Sequence, residues 1–273
     1  MTIPSINLND GQQIPQLGFG VWQVGNAEAT DAVTEALKVG YRHIDTAAIY
    51  GNEEGVGIAL QQSGVAREDI YLTTKLWNAE QGYESTLKAF DASLKRLGTD
   101  YVDLYLIHWP VPSKDHFLDT WRAFVKIREE GRAKSIGVSN FRIADLKRIL
   151  AESDAVPVLN QIELHPQFQQ QELRVFQQQH GIATEAWSPL GQGKILENET
   201  LRKVAAKHGK SVAQVILRWH LDIGNIVIPK SVTPSRIAEN LDVFDFRLDA
   251  ADHEAIKALD SRNGRIGPHP DTI

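Results

Sequence analysis

Short apolar runs alternate with amphipathic stretches along most of the chain. Seven of these runs read as strands: His43–Ala47, Tyr71–Trp77, Val102–His108, Ser135–Asn140, Val158–Leu164, Ala183–Ser188 and Ile226–Lys230. Leu17–Trp22 is an eighth, the first in order. Between them apolar residues recur at spacings of three and four, the period of one helix face. Leu87, Phe90, Leu94 and Leu97 do so, as do Leu118, Trp121 and Val125, and Ile143, Leu146 and Leu150. Ser211 is placed as the N-cap of a helix over Val212–Leu221. Ahead of this series, Ser5–Leu8 and Gln13–Leu17 flank the turn-type sequence Asn9-Asp10-Gly11 and predict a hairpin.

Eight strands alternating with about eight helices over one domain's length fit either a closed barrel or an open doubly wound sheet. Nearly regular spacing and the lack of a composition break favour a single (β/α)8 TIM barrel over residues 1–273, carrying an N-terminal β-hairpin. The glycine pattern agrees. The pairs Gly18/Gly20, Gly55/Gly57 and Gly191/Gly193 are followed by Gln23, Leu60 and Leu196 where a dinucleotide fingerprint needs a third glycine.

Composition narrows the chemistry. The 273 residues are 42% hydrophobic and 23% charged, which is ordinary globular usage. With no cysteine, a disulfide framework, a zinc ribbon and a thiol nucleophile are excluded. A net charge of −6 without a Lys/Arg run argues against a nucleic-acid partner. No basic-then-apolar leader and no long apolar run suggest a membrane role. The expectation is a cytoplasmic monomer acting on a small molecule. There is no HExxH, no GxSxG, and no metal-ligand spacing among the nine His.

The polar residues fall in a pattern. Asp45, Lys75, His108, Ser139-Asn140 and Lys230 stand at or near the ends of strand-like runs, with Gln161 and Trp187 close to the ends of two more. In a parallel barrel all strand C-termini lie on one face, where active sites form. Strands often end where polarity begins, so any single position is weak evidence. Asp45 and Lys75 on neighbouring strands nevertheless suggest a buried ion pair, and such a pair is better explained by function than by stability. Tyr50, five residues after Asp45, can lean over the same mouth. Lowering a Tyr pKa from about 10 to about 7 takes roughly 4 kcal/mol, much of which a desolvated Lys75 ammonium could supply. Tyr50 would then protonate a developing alkoxide, with a neutral His108 orienting the carbonyl. The set contains no hydride source, so a nicotinamide must provide it.

The ordered runs GYRHIDTAAIYGNEEGVG, LTTKLW, VDLYLIHWP, SIGVSNF, NQIELHP, WSPLGQGK and IPKSVTPSRIAENLDVFDF make the chain similar to the aldo-keto reductase superfamily from about Ile14 to Phe246. It resembles bacterial 2,5-diketo-D-gluconate reductases in particular. That resemblance implies a barrel binding NADP(H) without a Rossmann domain and a catalytic tetrad at Asp45, Tyr50, Lys75 and His108. By the same likeness Ser139, Asn140 and Gln161 contact the nicotinamide carboxamide, and Trp187 stacks on its ring. Ser188, Leu190, Gly191 and Gln192 lie by the pyrophosphate. Lys230, Ser231, Val232 and Arg236 surround the 2′-phosphate; Glu239 and Asn240 meet the adenine. Trp22, Ile49, Trp77 and Trp109 resemble pocket walls, although core aromatics are the plainer reading. The tail Ser261–Ile273 resembles a substrate loop, or is a frayed end. The implied activity is NADPH-dependent reduction of aldehydes and ketones. 2,5-diketo-D-gluconate is one candidate substrate, and broad aldehyde, methylglyoxal or β-keto ester reduction is the alternative. A non-catalytic NADPH-binding accessory module is the rival from another class.

Overall fold

The computed structural model describes residues 3–273. The hairpin forms from β1 (Ser5–Asn7) and β2 (Gln13–Pro15), with Gly11 at φ +85° in the turn. Eight parallel strands follow: β3 (Phe19–Gly20), β4 (His43–Asp45), β5 (Tyr71–Leu76), β6 (Val102–Ile107), β7 (Ala133–Ser139), β8 (Leu159–Glu163), β9 (Ala183–Trp187) and β10 (Ile226–Val227). They pair in sequence order from β3 to β10. The sheet then closes on itself. Leu17 bridges Val227 in parallel, Gly18 N donates to Val227 O at 2.8 Å, and Val227 N donates to Gln16 O at 2.9 Å. The barrel and hairpin are as the sequence predicts, with the first and last strands shorter than their apolar runs. Pro229 has no N–H to continue a ladder, and Gln23 turns the chain at φ +57° soon after β3.

Among the described residues ten helices pack outside: α1 (Asn26–Val39), α2 (Glu53–Gln62), α3 (Tyr83–Leu97), α4 (Phe117–Glu129), α5 (Ile143–Glu152), α6 (Gln171–Gln179), α7 (Glu199–His208), α8 (Val212–Asp222), α9 (Pro234–Leu241) and α10 (Ala250–Lys257). The predicted faces are the ones buried. Phe90, Leu94 and Leu97 of α3, Trp121 of α4 and Leu146 of α5 all enter the layer between helices and sheet.

Strand alternation separates that layer from the barrel interior. Along β6, Tyr105 and Ile107 face the helices, with Tyr105 stacked on Phe124 of α4 at 4.3 Å. Leu104 and Leu106 instead join Leu8, Ile14, Leu159 and Ile226 in a separate inner cluster. Leu8 and Ile14 come from the hairpin region, which therefore plugs one end. Asn9 Nδ2 donates to Pro157 O and Gly181 O, both just ahead of barrel strands, and Ser135 Oγ donates to Asp10 Oδ2 at 2.7 Å. With the N-terminal end stoppered, the barrel opens at the C-terminal ends of its strands.

Ser211 caps α8 as expected. Its Oγ accepts from Gln214 N at 3.2 Å, and Gln214 Oε1 accepts from Ser211 N at 3.0 Å, a reciprocal box. Ser211→Ala should lower stability by about 1 kcal/mol without changing turnover. Urea unfolding measures the first effect and steady-state rates the second; an unchanged midpoint would mean that tertiary packing alone holds α8.

Candidate active site

The same alternation carries polar groups upward inside the barrel. His43 and Asp45 of β4, Thr73 and Lys75 of β5, Ser139 of β7, Gln161 and Glu163 of β8, and Glu185 of β9 are all buried. Lys75 Nζ donates to Asp45 Oδ1 at 2.6 Å and to Thr46 O at 2.9 Å, with both side chains of the pair excluded from solvent. The Lys75 ammonium also stands 5.1 Å from the centre of the Tyr50 ring. His108, just beyond β6, meets Tyr50 edge-on with ring centres 5.7 Å apart, and Trp77 at 5.4 Å. The four residues singled out by their positions in the sequence are thus brought together. Asp45 Oδ2 accepts from Gln161 Nε2 at 2.8 Å, and the same amide donates to Glu185 Oε2 at 2.9 Å.

Burial opposes the charge on Lys75, but Asp45, Tyr50 and Glu185 outweigh it and hold the ammonium above its ordinary pKa. Burial pushes His108 well below the ordinary imidazole range and the Lys75 charge adds to this, so the ring is neutral. Tyr50 departs from the sequence expectation. Burial raises its pKa and the pull of Lys75 only partly offsets that, so the phenol stays above its ordinary value. The correction lies in desolvation, which disfavours a phenolate more than one lysine already paired with Asp45 can favour it. Tyr50 therefore holds its proton at neutral pH. Glu185 is pushed up to about 8, first by burial and then by Asp45, so it too is protonated near neutrality.

Next to this cluster Ser139 Oγ donates to Gln161 O at 2.8 Å. Asn140 Nδ2 donates to His108 O at 3.0 Å, and Asn140 Oδ1 accepts from Trp187 Nε1 at 2.8 Å. Together these residues form a hydrogen-bonded band across β6 to β9. Ser188 and Leu190 lead into a tight turn, Gly191–Gly193, with Gln192 at φ +53°. Ser188 at φ +47°, Asn140 at +63° and Val111 at +43° are also left-handed. All follow strand C-termini, and strain of this kind collects at functional rims. Ser231 and Asn240 are buried, Glu239 is half-buried, and Lys230, Val232 and Arg236 are exposed at the exit of β10 and the first turns of α9. Neither Lys230 nor Arg236 is in an ion pair among the described residues.

Of the expected pocket walls, Trp22 is 42% and Ile49 47% exposed, and Trp77 is half-buried beside His108. Trp109 is 7% exposed, and its ring lies nearly parallel to that of His108 with centres 6.4 Å apart. The tail is not frayed. Ile266 N and Gly267 N donate to the Glu163 carboxylate, Arg142 pairs with Asp271, and Pro270 is buried. Glu163 and Glu185 went unnoticed in the sequence because neither ends a polar-tipped run as conspicuously as its neighbour. The period of two would have found them: Glu163 stands two residues after Gln161, and Glu185 two before Trp187. No group of three or more His, Asp or Glu is placed to hold a metal among the described residues.

The aldo/keto reductase family model matches residues 16–261. The chain belongs to the aldo/keto reductase family. It is an oxidoreductase acting on carbonyl groups. A methylglyoxal reductase of Escherichia coli, DkgA, is 52% identical over 268 residues, spanning 97% of this chain and 96% of the relative. The crystal structure of an aldo/keto reductase from Brucella melitensis superposes with a TM-score of 0.92 at 71% identity, covering 95% of this chain and all of that one. A second, a point variant of Gox0644 in complex with NADPH, gives 0.96 at 51% identity over 100% and 99% of the two chains.

In this aldo/keto reductase Lys75→Met should abolish turnover and destabilise the fold by about 3–5 kcal/mol, since Asp45 is left charged, buried and unpaired. Lys75→Met with Asp45→Asn should recover most of the stability and none of the turnover. Urea unfolding of the single and double variants, with rates on one aldehyde, checks both. A single variant as stable as wild type would show that the pair is not desolvated.

Proposed function

We propose that this aldo/keto reductase uses NADPH to reduce small uncharged aldehydes, with α-oxo-aldehydes such as methylglyoxal as the substrate class. The observation that carries the reading is the cluster of Asp45, Lys75, Tyr50 and His108: a protonated phenol and a neutral imidazole meet edge-on beside a desolvated ammonium. A non-catalytic NADPH module would have no use for that proton-holding arrangement.

The residues present fit the cofactor. Both N–H bonds of the Gln161 amide are directed inward to Asp45 and Glu185, leaving its Oε1 as an acceptor for a carboxamide. Trp187 offers a flat, half-buried face fixed at its Nε1. Ser139 and Asn140 flank it, and Ser188, Leu190, Gly191 and Gln192 form the adjoining turn suited to a pyrophosphate. Lys230 and Arg236 are exposed cations near the start of α9, with Ser231 and Val232 between them, where a 2′-phosphate would be neutralised. Glu239 and Asn240, one turn on, would meet the adenine. When bound, the reduced nicotinamide supplies the hydride that no side chain can.

The chain's own residues supply the rest. His108 donates a hydrogen bond to the carbonyl oxygen and orients it. Tyr50 gives its proton to that oxygen as negative charge develops. Lys75 stabilises the phenolate left behind, and Asp45 keeps Lys75 charged and in register with the ring. Trp22, Ile49 and Trp77 present apolar surface and no charge, with Trp109 packed behind His108. Since Asp45 neutralises Lys75 and His108 is uncharged, none of these residues matches a substrate carboxylate. An uncharged aldehyde is therefore favoured over the sugar acid that the sequence also suggested. The methylglyoxal reductase relative from Escherichia coli supports the same class.

Tyr50→Phe should cut kcat on methylglyoxal by a hundredfold or more, on the order expected for losing a general acid, while NADPH binding stays within several-fold of wild type. Loss of NADPH absorbance with a panel of neutral aldehydes, 2,5-diketo-D-gluconate and β-keto esters tests the class. A kcat/KM higher on the sugar acid than on methylglyoxal would reverse the substrate assignment, and near wild-type turnover by Tyr50→Phe would remove the acid.

Arg236→Ala should weaken NADPH about ten- to a hundredfold, as for a charge-assisted contact of roughly 1.5–3 kcal/mol, and leave NADH nearly unchanged. The selective part should shrink as salt rises. Titrating both cofactors at two salt concentrations decides this, because equal losses would place Arg236 elsewhere than on the phosphate.

A further inference from the structure

The carboxylate at the end of β8 takes no part in the reaction as derived above, yet it is among the most completely satisfied groups in the barrel mouth. Glu163 is buried. Its Oε1 accepts from Ile266 N at 2.6 Å and its Oε2 from Gly267 N at 2.9 Å, while His165 Nε2 lies 3.3 Å from Oε1. Burial alone would push this carboxyl up, but His165 and the two amides outweigh it and keep the group ionised. Two successive backbone amides of the C-terminal tail are therefore captured by one buried charge, and hydrogen bonds to a charged acceptor are the strong kind.

Gly267 is glycine for want of room rather than for an unusual φ. A Cβ built there would overlap Trp187 Cη2 and would lie 2.9 Å from Glu163 Oε2 and 3.2 Å from Trp187 Cζ3. The tail backbone thus rests directly on the outer edge of the indole. The opposite edge of the same ring is tied down by Trp187 Nε1 donating to Asn140 Oδ1 at 2.8 Å. Further fastenings keep the tail from yielding: Ser261 N donates to Gln167 O at 3.1 Å, Arg265 covers the Phe168 ring at 4.6 Å, and Arg142 pairs with Asp271.

We propose that Glu163 is a positioning residue for the cofactor: by holding the Ile266 and Gly267 amides it seats the tail against Trp187 and fixes the plane of the indole. The tail then governs cofactor affinity as well as the shape of the substrate mouth. This rests on the reading of Trp187 as the nicotinamide platform, and the latch can fail while that reading stands.

The test is a coupling measurement. Gly267→Ala and Glu163→Gln are each made in wild type and in a Trp187→Phe background, and NADPH is titrated by its own fluorescence. A phenyl ring lacks the atoms that the new Cβ would strike. Gly267→Ala should therefore weaken NADPH about tenfold in wild type and less than twofold in the Trp187→Phe background. Glu163→Gln is nearly isosteric and avoids the steric clash. It should weaken NADPH about fivefold in wild type, again less than twofold in the Trp187→Phe background, and raise KM for NADPH more than it lowers kcat. Thermal unfolding of all variants is recorded alongside. Equal losses in both backgrounds, or a lower melting temperature with unchanged NADPH affinity, would overturn the latch and leave Glu163 a purely structural anchor. If Trp187→Leu, which leaves no aromatic face, keeps NADPH affinity unchanged, the platform reading fails and the latch fails with it.

Discussion

The structure turns on one desolvated charge. Lys75 sits in the barrel with no solvent contact, and moving an ammonium there carries a penalty of several kcal/mol that only close pairing can offset. Asp45 provides the pairing at 2.6 Å and the Thr46 carbonyl a second acceptor. The surroundings then obey a charge count. Glu185 is close enough to compete for the same lysine, but burial and the negative charge of Asp45 keep it protonated near neutral pH. His43 lies 3.6 Å from Glu185, and burial drives its pKa down to about 3, so it too is neutral. With His108 and Tyr50 also uncharged, Lys75 and Asp45 are the one charged pair beside the phenol, while the ionised Glu163 is held separately by the tail amides. The field of Lys75 on Tyr50 is opposed by burial and by Asp45, which is why the phenol keeps its proton at neutral pH.

That arrangement depends on strand alternation more than on any loop. Because all eight strands are parallel, a residue at a given height on each strand faces the same layer of the interior. Asp45, Lys75, Ser139, Gln161, Glu163 and Trp187 all occupy the upper interior positions of their strands, and the hairpin closes the other end. Leu104, Leu106, Leu159 and Ile226 form one apolar cluster with Leu8 and Ile14 of the hairpin region, which makes the floor dry. A dry floor raises the cost of an unpaired ion above it and so sharpens the choice of which groups are charged.

The barrel, the hairpin and the meeting of Asp45, Tyr50, Lys75 and His108 were legible in the sequence. Period-two strands, period-three-and-four helices and polar strand ends are all local signals, and parallel topology converts them into one site. The direction of the Tyr50 pKa was not legible. It depends on how much water the folded mouth excludes, and residue types do not report that. The tail was equally opaque: Ser261–Ile273 has no periodicity, and its order comes from single contacts to Glu163, Gln167, Phe168 and Arg142, each far away in sequence. Trp109 illustrates the remaining ambiguity, since an aromatic beside His108 reads alike in sequence whether it lines the mouth or backs it.

Tyr50 itself comes from a short turn, Ala48–Tyr50, and not from a strand. In the proposed role of proton donor, a group on an ordinary loop would be placed too loosely, because an error of an ångström in such a group is costly to rate. Here the turn is held as firmly as the sheet. Asn52, two residues on, is completely buried; its Nδ2 donates to Val21 O at 2.9 Å and Val24 O at 3.0 Å, and its Oδ1 accepts from Thr46 Oγ1 at 2.7 Å. Glu53 follows, accepting from Thr74 Oγ1 of β5 at 2.6 Å and pairing with Arg96 of α3. The turn between β4 and α2 is therefore tied to the segment after β3, to the next strand and to the next helix. Thr46 joins the two systems, since its hydroxyl holds Asn52 while its carbonyl accepts from Lys75. One residue thus links the turn that carries Tyr50 to the position of the Lys75 ammonium, and a shift in either is felt by the other.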